Sequence, residues 1–195
     1  TISWDTRMII NSSGNVGIGV TPSTIWSSSY NALQIGLGGS VYAHSSAGSS
    51  LNLGANIVYE GTAPNYYDKY LTSSTATKYQ QDEGVHIWST AISGTAGNAV
   101  SWSERMRITN AGNVGINASD PVKTLDVRGS LAISNSTASY WYMDRNDTTG
   151  NFDLNEKTNG TLFTVDPNGK VGIGTTSLGT YKLNVAGTGL FTGGL

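Results

Sequence analysis

The residues of this chain that could do chemistry are few and scattered. The two histidines, His44 and His86, stand apart from each other, and no helical pattern pairs either with a second ligand. We interpret both as hydrogen-bonded strand residues. The chain has no cysteine, which removes disulfides and thiolate metal sites. The sequence therefore predicts no metal and no cofactor.

Carboxylates are the remaining candidates for catalysis, because paired acids can hydrolyse polysaccharides. Asp82 and Glu83 are adjacent, and adjacent strand residues point to opposite faces. The segment from Asp144 to Asp147 is typical of a turn. The segment Asp166-Pro167-Asn168-Gly169 lacks the spacing and distal glutamate of a calcium loop and favours a hairpin turn. We assign no catalytic residue and expect no enzyme.

Aromatic residues are the strongest candidates for binding. Tyr66, Tyr67 and Tyr70 follow a Pro-Asn loop signal at residues 64–65. They could stack on sugar rings at a receptor surface, or they could fill the core of a leucine-poor β module. For any single ring the core is the better interpretation, and the loop signal favours exposure of Tyr66 and Tyr67.

The elements that must position these residues are repeats. A Gly-x-Val-Gly-Ile phrase occurs at residues 14–18, 112–116 and 169–173. Ser3-Trp4 and Arg7-Met8 also recur 98 residues later as Ser101-Trp102 and Arg105-Met106. Each copy continues into a second apolar pair closed by glycine, which predicts a unit of strand, turn, strand, loop and strand.

Glycines occupy two kinds of position in this unit. Gly112 and Gly169 follow turn-forming residues, so we expect a positive φ at both. Gly115 lies inside a strand between Val114 and Ile116, and a strand glycine often marks the close approach of another backbone. We expect that backbone to belong to a second chain.

The repeats divide the chain into five segments. The first repeat covers residues 1–36, an inserted all-β module 37–100, the second repeat 101–129, a β-meander 130–159, and the third repeat with the start of a next segment 160–195. The meander contains an Asn159-Gly160 hairpin signal. The beginning and end look interrupted, so we expect a piece of a longer protein.

Composition favours a fibrous β protein. Only 37% of the chain is hydrophobic and 12% is charged, with 25 glycines. Such a small apolar inventory can still order a chain if oligomerisation adds burial. We expect a homotrimer whose packing residues come from the repeats: Val16, Ile18, Val114, Ile116, Val171 and Ile173.

Charge and hydropathy argue against two classes of partner. The net charge is −2 and no basic cluster is present, which disfavours nucleic acid. No stretch approaches the roughly 20 apolar residues of a membrane-spanning helix, so membrane insertion is not expected.

The motifs resemble those of a known family. The run Ser101-Trp102-Ser103-Glu104-Arg105-Met106-Arg107-Ile108, followed by Gly112-Asn113-Val114-Gly115-Ile116, Pro121 and Leu125-Asp126-Val127, resembles repeats of bacteriophage tail fibres, particularly those of marine and cyanobacterial phages. Residues 79–97 resemble a module that recurs before such repeats. Asn117 departs from the glycine found at residues 19 and 174.

The resemblance implies a function. It implies a parallel homotrimer that projects from the virion, joins other tail proteins and contacts a host cell-surface glycan or protein. In that family a self-cleaving chaperone domain often follows the last repeat, and none of its residues can be placed here. The expectation is therefore an elongated, repeat-containing all-β fibre segment with β-hairpin or β-sandwich-like modules, and it attaches the virion to its host. The alternatives are a polysaccharide-degrading tailspike and a bacterial trimeric surface adhesin.

Overall fold

A computed structural model describes residues 7–44, 50–62, 65–134 and 140–188, with the side chains of residues 62, 65, 66 and 134 left out. Eighteen strands and no helix occur in these residues. The chain divides into two compact units after Asp126. The all-β expectation is confirmed.

The first unit is built on a ten-stranded sheet and a separate hairpin. In sheet order the ten strands are β1 (Met8–Ile10), β2 (Val16–Ile18), β3 (Tyr30–Ile35), β4 (Gly39–His44), β5 (Leu51–Ala55), β8 (Ala76–Asp82), β9 (Val85–Ala91), β10 (Ser103–Ile108), β11 (Val114–Ile116) and β12 (Leu125–Val127). The hairpin pairs β6 (Ile57–Thr62) with β7 (Asn65–Tyr70).

The second unit contains a six-stranded sheet whose order follows the chain. Its strands are β13 (Leu131–Ser134), β14 (Tyr140–Arg145), β15 (Phe152–Glu156), β16 (Gly160–Val165), β17 (Val171–Ile173) and β18 (Leu183–Val185). The predicted Asn-Gly turn is present, because β15 and β16 pair across it and Gly160 has a φ of 72°. The turn predicted from Asp144 begins later, since Asp144 and Arg145 are strand residues.

The repeat unit has the predicted order. β1 and β2 form an antiparallel hairpin, and β3 then pairs parallel to β2. The third copy does the same with β16, β17 and β18. In the second copy β10 pairs antiparallel to β11, which lies beside β12. A loop crosses from the second to the third strand of each copy.

The turn glycines confirm the prediction. Gly14, Gly112 and Gly169 have φ values of 81°, 85° and 74°, a region that favours glycine because it has no Cβ. Asn117 keeps the left-handed conformation of its glycine counterparts, with a φ of 54° against 66° at Gly19 and 68° at Gly174. The three copies are therefore equivalent in backbone at the position where their sequences differ.

The strand glycines differ from expectation in one respect. A Cβ on Gly17, Gly115 or Gly172 would overlap a carbonyl oxygen three residues later, that of Val20, Ala118 or Thr175. Another backbone does approach closely, but it is the crossover loop of the same chain. The expectation of a second chain at Gly115 was wrong, because the parallel third strand requires a loop that folds back over this face.

Apart from the β6–β7 hairpin, the inserted strands extend the sheet of the repeats. β4, β5, β8 and β9 continue the sheet that starts in the first repeat and ends in the second. The core of this unit lies between the sheet and two covering segments, the crossover loop of the first repeat and the β6–β7 hairpin. It contains Trp26, Ala32, Tyr42, Ile57, Val58, Tyr70, Ala76 and Ala91.

Candidate functional site

The β6–β7 hairpin carries the three predicted receptor tyrosines in different environments. Tyr67 is 39% exposed, and the Lys69 ammonium lies 5.4 Å from the centre of its ring. Lys69 also donates to Glu60 on the paired strand at 2.9 Å, and this hydrogen bond raises the pKa of Lys69. Tyr67 is thus an accessible ring beside an ion pair.

Tyr70 is a core residue. It is 5% exposed, and its hydroxyl donates to the Ile92 carbonyl at 2.7 Å. Its ring packs so closely on Gly94 that a Cβ there would overlap it. Burial removes Tyr70 from the candidate receptor contacts. The Tyr66 backbone pairs with Gly61, and its side chain lies outside the described part of the chain.

A buried carboxylate fixes the hairpin to the sheet, and the sequence interpretation missed it. Asp68, on β7, accepts hydrogen bonds from the Tyr42 hydroxyl at 2.7 Å, the Lys78 ammonium at 2.8 Å and the Trp102 indole at 2.8 Å. Burial raises the pKa of the Tyr42 hydroxyl far above its usual range, and the nearby Asp68 carboxylate adds to this effect. Side chains from β4, from β8 and from the segment before β10 therefore meet at the Asp68 carboxylate.

The sheet face beneath this contact, which we call the covered face, is buried and mixes polar with core side chains. Its core residues are Ala32, Tyr42, Ala76 and Ala91. Its polar residues Gln34, Ser40, Asn52 and Ser89 are also buried. The side-chain oxygen of Gln34 accepts from the Ser23 amide at 2.9 Å. In the second unit, buried Asp153 accepts from Thr164 on the face where Gly172 meets its crossover loop.

The opposite face of the ten-stranded sheet, which we call the open face, is apolar. Strand partners in register form a continuous line across nine strands, the central row: Ile10, Val16, Leu33, Val41, Leu53, Tyr79, Trp88, Met106 and Ile116. None of these nine side chains is buried, and Ile10 and Leu53 are 65% and 56% exposed.

An aromatic group lies near one end of the central row. Tyr79 and Trp88 are strand partners, with ring centres 5.0 Å apart. His86 stacks beside both rings and hydrogen bonds to the Tyr79 hydroxyl. A shallow hollow of about 400 Å³ opens beside this group, with Leu53, Ala55, Thr77 and Thr90 in its lining.

The second unit repeats the arrangement by itself. Its second row crosses all six strands: Leu131, Met143, Leu154, Phe163, Ile173 and Val185. Leu131 and Ile173 are 47% and 44% exposed. Each unit therefore buries several polar side chains on one sheet face and leaves a row of apolar side chains open on the other.

The six predicted packing residues fall on these open faces. Ile18 and Ile173 are 43% and 44% exposed, and Val16, Val114, Ile116 and Val171 are half-buried. Within one chain their side chains are incompletely covered. Their burial between chains stays a prediction.

The candidate carboxylates occupy separate local structures. Asp82 ends β8, whereas Glu83, with a φ of 48°, belongs to the following turn. Asp144 accepts hydrogen bonds from Ser130 at 3.3 Å and Asn155 at 3.2 Å. The Asp147 side chain is 99% exposed. No cluster of three or more His, Asp or Glu side chains able to hold a metal occurs in the described residues.

Asp166 sits in the predicted hairpin turn. Its carboxylate accepts from the Asn168 and Lys170 amides, both at 2.8 Å, and the Lys170 bond above all lowers the pKa of Asp166. Asn11 makes the equivalent bonds in the first copy, to the amides of Ser13 and Asn15 at 3.0 Å. These bonds within the turn support the interpretation of Asp166 as a turn residue.

Comparison with known proteins adds no relative. No family model matches the chain, and no curated protein sequence matches it. Among the described residues no helix is long and apolar enough to cross a membrane.

Proposed function

We propose that this chain is a structural and adhesive segment of a bacteriophage tail fibre and that it acts as a homotrimer. The tail-fibre assignment depends on the resemblance of the repeated motifs. Assembly is supported by one observation, the apolar face that each unit leaves open on its sheet. Open apolar faces of this extent indicate protein partners.

The composition of the open face favours copies of the same chain as partner. The central row contains nine apolar or aromatic residues and no charged one. Interface cores are depleted in charge and enriched in aromatic side chains and methionine, as this row is. Covering it would supply the burial that a chain with 37% hydrophobic residues lacks.

Oligomeric state tests the proposal directly. Light scattering of the purified chain is expected to give three times the chain mass of 20.5 kDa. Leu53→Asp places a charge in the central row and is expected to lower the mass towards that of one chain. The matched control is Ile92→Asp, because Ile92 is 81% exposed but lies outside the strands. A monomeric unmodified chain would contradict the proposal.

Adhesion is a separate part of the proposal and concerns the hairpin. Tyr67 offers a flat ring beside the Lys69–Glu60 ion pair, a combination that can stack on a sugar and bond its hydroxyls. The labelled trimer is expected to bind members of a glycan array, and Tyr67→Ala is expected to reduce that signal at least tenfold without changing the mass. Tyr70 is left intact because its substitution would disturb the core. Equal array binding by the variant would place the receptor contact elsewhere.

A further inference from the structure

The apolar stripe on the open face runs across the strands. The strands of the ten-stranded sheet are three to seven residues long, so each places only a few side chains on this face. The central row instead continues through nine strands. With neighbouring strands about 4.8 Å apart, it is about 38 Å long. The apolar surface is therefore longest along the direction of the hydrogen bonds between strands, perpendicular to the strands themselves.

The stripe consists of the central row and two flanking rows that are apolar in part. One flanking row begins with Met8, Ile18 and Ile35 but becomes polar at Thr77, Thr90 and Ser103. The other is polar at Gln81 and His86, and its apolar residues are Ala43, Leu51, Ile108 and Val114. Three rows about 7 Å apart give roughly 500 Å² in flat projection. This approaches the roughly 800 Å² that one partner buries in a stable interface.

We propose that two further copies of this chain cover the stripe and that their three-fold axis runs along the central row, across the strands. This inference rests on the proposed homotrimer and adds its geometry. Each strand then contributes one layer, in which the same residue from three chains meets. Three central rows around one axis close a core without exposing any of them, and the apolar parts of the flanking rows pack between neighbouring chains.

The sizes of the side chains on the open face fit such layers. Beside the bulky Tyr79 and Trp88 the flanking positions are the smaller Thr77 and Thr90, and these line the hollow of about 400 Å³. The hollow leaves space for the aromatic rings that neighbouring copies contribute to the same layer. Charged groups lie away from the axis: Lys78, Glu104 and Arg107 are on the covered face.

The second unit gives the same direction independently. Its second row crosses all six strands, from Leu131 to Val185, through Met143, Leu154, Phe163 and Ile173. A patch produced by chance composition would not follow the strand register twice.

Single cysteines test the layers, because the chain has no cysteine of its own. If like residues meet, oxidised trimers of Leu53→Cys should show about two-thirds of their chains as a covalent dimer on a non-reducing gel, since two of three thiols can pair at disulfide distance. Ile10→Cys is a second variant in the same row. The control is Ile92→Cys, which is more exposed but off the stripe and should stay uncoupled.

A mixture of two cysteine variants tests whether the chains of the trimer run parallel. Tagged Ile10→Cys and untagged Met106→Cys are refolded together; their strands are seven positions apart in the sheet, about 34 Å. Parallel layers predict disulfides within each variant and none between them. Trimers without like-residue disulfides, or with disulfides between the two variants, would overturn the layered axis and leave the homotrimer standing. A monomer in light scattering would overturn both.

Discussion

The two faces of the ten-stranded sheet differ in composition: the covered face buries polar side chains beside its core residues, and the open face leaves apolar side chains exposed. The covered face buries Gln34, Ser40 and Asn52, and the open face leaves Ile10 and Leu53 more than half exposed. The difference follows from what each face meets. Crossover loop and hairpin bring backbone carbonyls and a carboxylate to the covered face, which polar side chains can satisfy. Among the described residues of this unit, neither the crossover loop nor the hairpin covers the open face, which is suited to other copies.

This comparison divides the residues by the property that they control. Covered-face residues hold a single chain together, so their loss should lower the free energy of unfolding. Open-face residues should control the mass of the assembly, and their substitution should leave the fold of one chain intact. Among the residues that hold one chain together, we expect the largest losses at the covered face and the smallest at the turns.

Breaking the buried contact at Asp68 should have the largest effect. Asp68→Asn leaves the Lys78 ammonium without its counter-charge, and its side chain is only 13% exposed. Breaking a buried ion pair costs about 3–5 kcal/mol. Chemical denaturation followed by circular dichroism measures the change.

The matched control for Asp68 lies on the same hairpin. Glu60→Gln removes a partly exposed pair with Lys69, where the side chains are 26% and 20% exposed. Such pairs are worth about 0–1 kcal/mol. Equal losses in the two variants would show that the Asp68 contact does not anchor the hairpin.

Substitution of a strand glycine should cause the second-largest loss of stability. Gly115→Ala places a Cβ against the Ala118 carbonyl oxygen, which belongs to backbone and cannot rotate away. Overpacking of this kind costs about 3 kcal/mol. Gly38→Ala is the control, because its Cβ would meet nothing within 4 Å. An unfolding midpoint for Gly115→Ala equal to that of the control would refute close packing of the crossover loop.

The turn glycines should show a smaller loss. Gly169→Ala meets no atom within 4 Å but must keep a φ of 74°, so the cost is backbone strain alone, about 1 kcal/mol. Gly112→Ala is expected to behave alike at a φ of 85°. Thermal unfolding of both variants checks this, and a stabilised variant would contradict it.

Local signals in the sequence were enough for the repeats and turns. The turns between strands contain Gly112, Gly160 and Gly169, whose backbone preferences act within a few residues. Positions such as these need no information from distant parts of the chain.

The covered face could not be predicted in the same way. Asp68 meets Lys78, Tyr42 and Trp102, which lie 10, 26 and 34 positions away in the chain. No spacing rule joins them, because they meet only through strand pairing and the folding back of the hairpin. The two alternatives for Tyr70, core or receptor surface, could not be separated for the same reason: a loop signal at Asn65 says nothing about the face of β7 on which Tyr70 lies. The crossover loop over Gly115 likewise depends on the parallel third strand.

The smallest expected effect is a pH dependence at the third turn. Hydrogen bonds from the Lys170 and Asn168 amides lower the pKa of Asp166 in the folded chain. A carboxyl with a lowered folded pKa contributes stability above its unfolded pKa, near 4, and that contribution is lost as the pH falls through the folded pKa. Asp166→Asn keeps the acceptor oxygen, as Asn11 does in the first copy, but removes the charge. Unfolding free energies measured from pH 2 to pH 6 should therefore differ between the variant and the unmodified chain at pH 6 and converge in acid. Asp147→Asn, at a turn carboxylate 99% exposed, serves as the control. A difference for Asp166→Asn that is constant across this range would show that the turn is held by its backbone alone and that the carboxylate charge adds nothing to it.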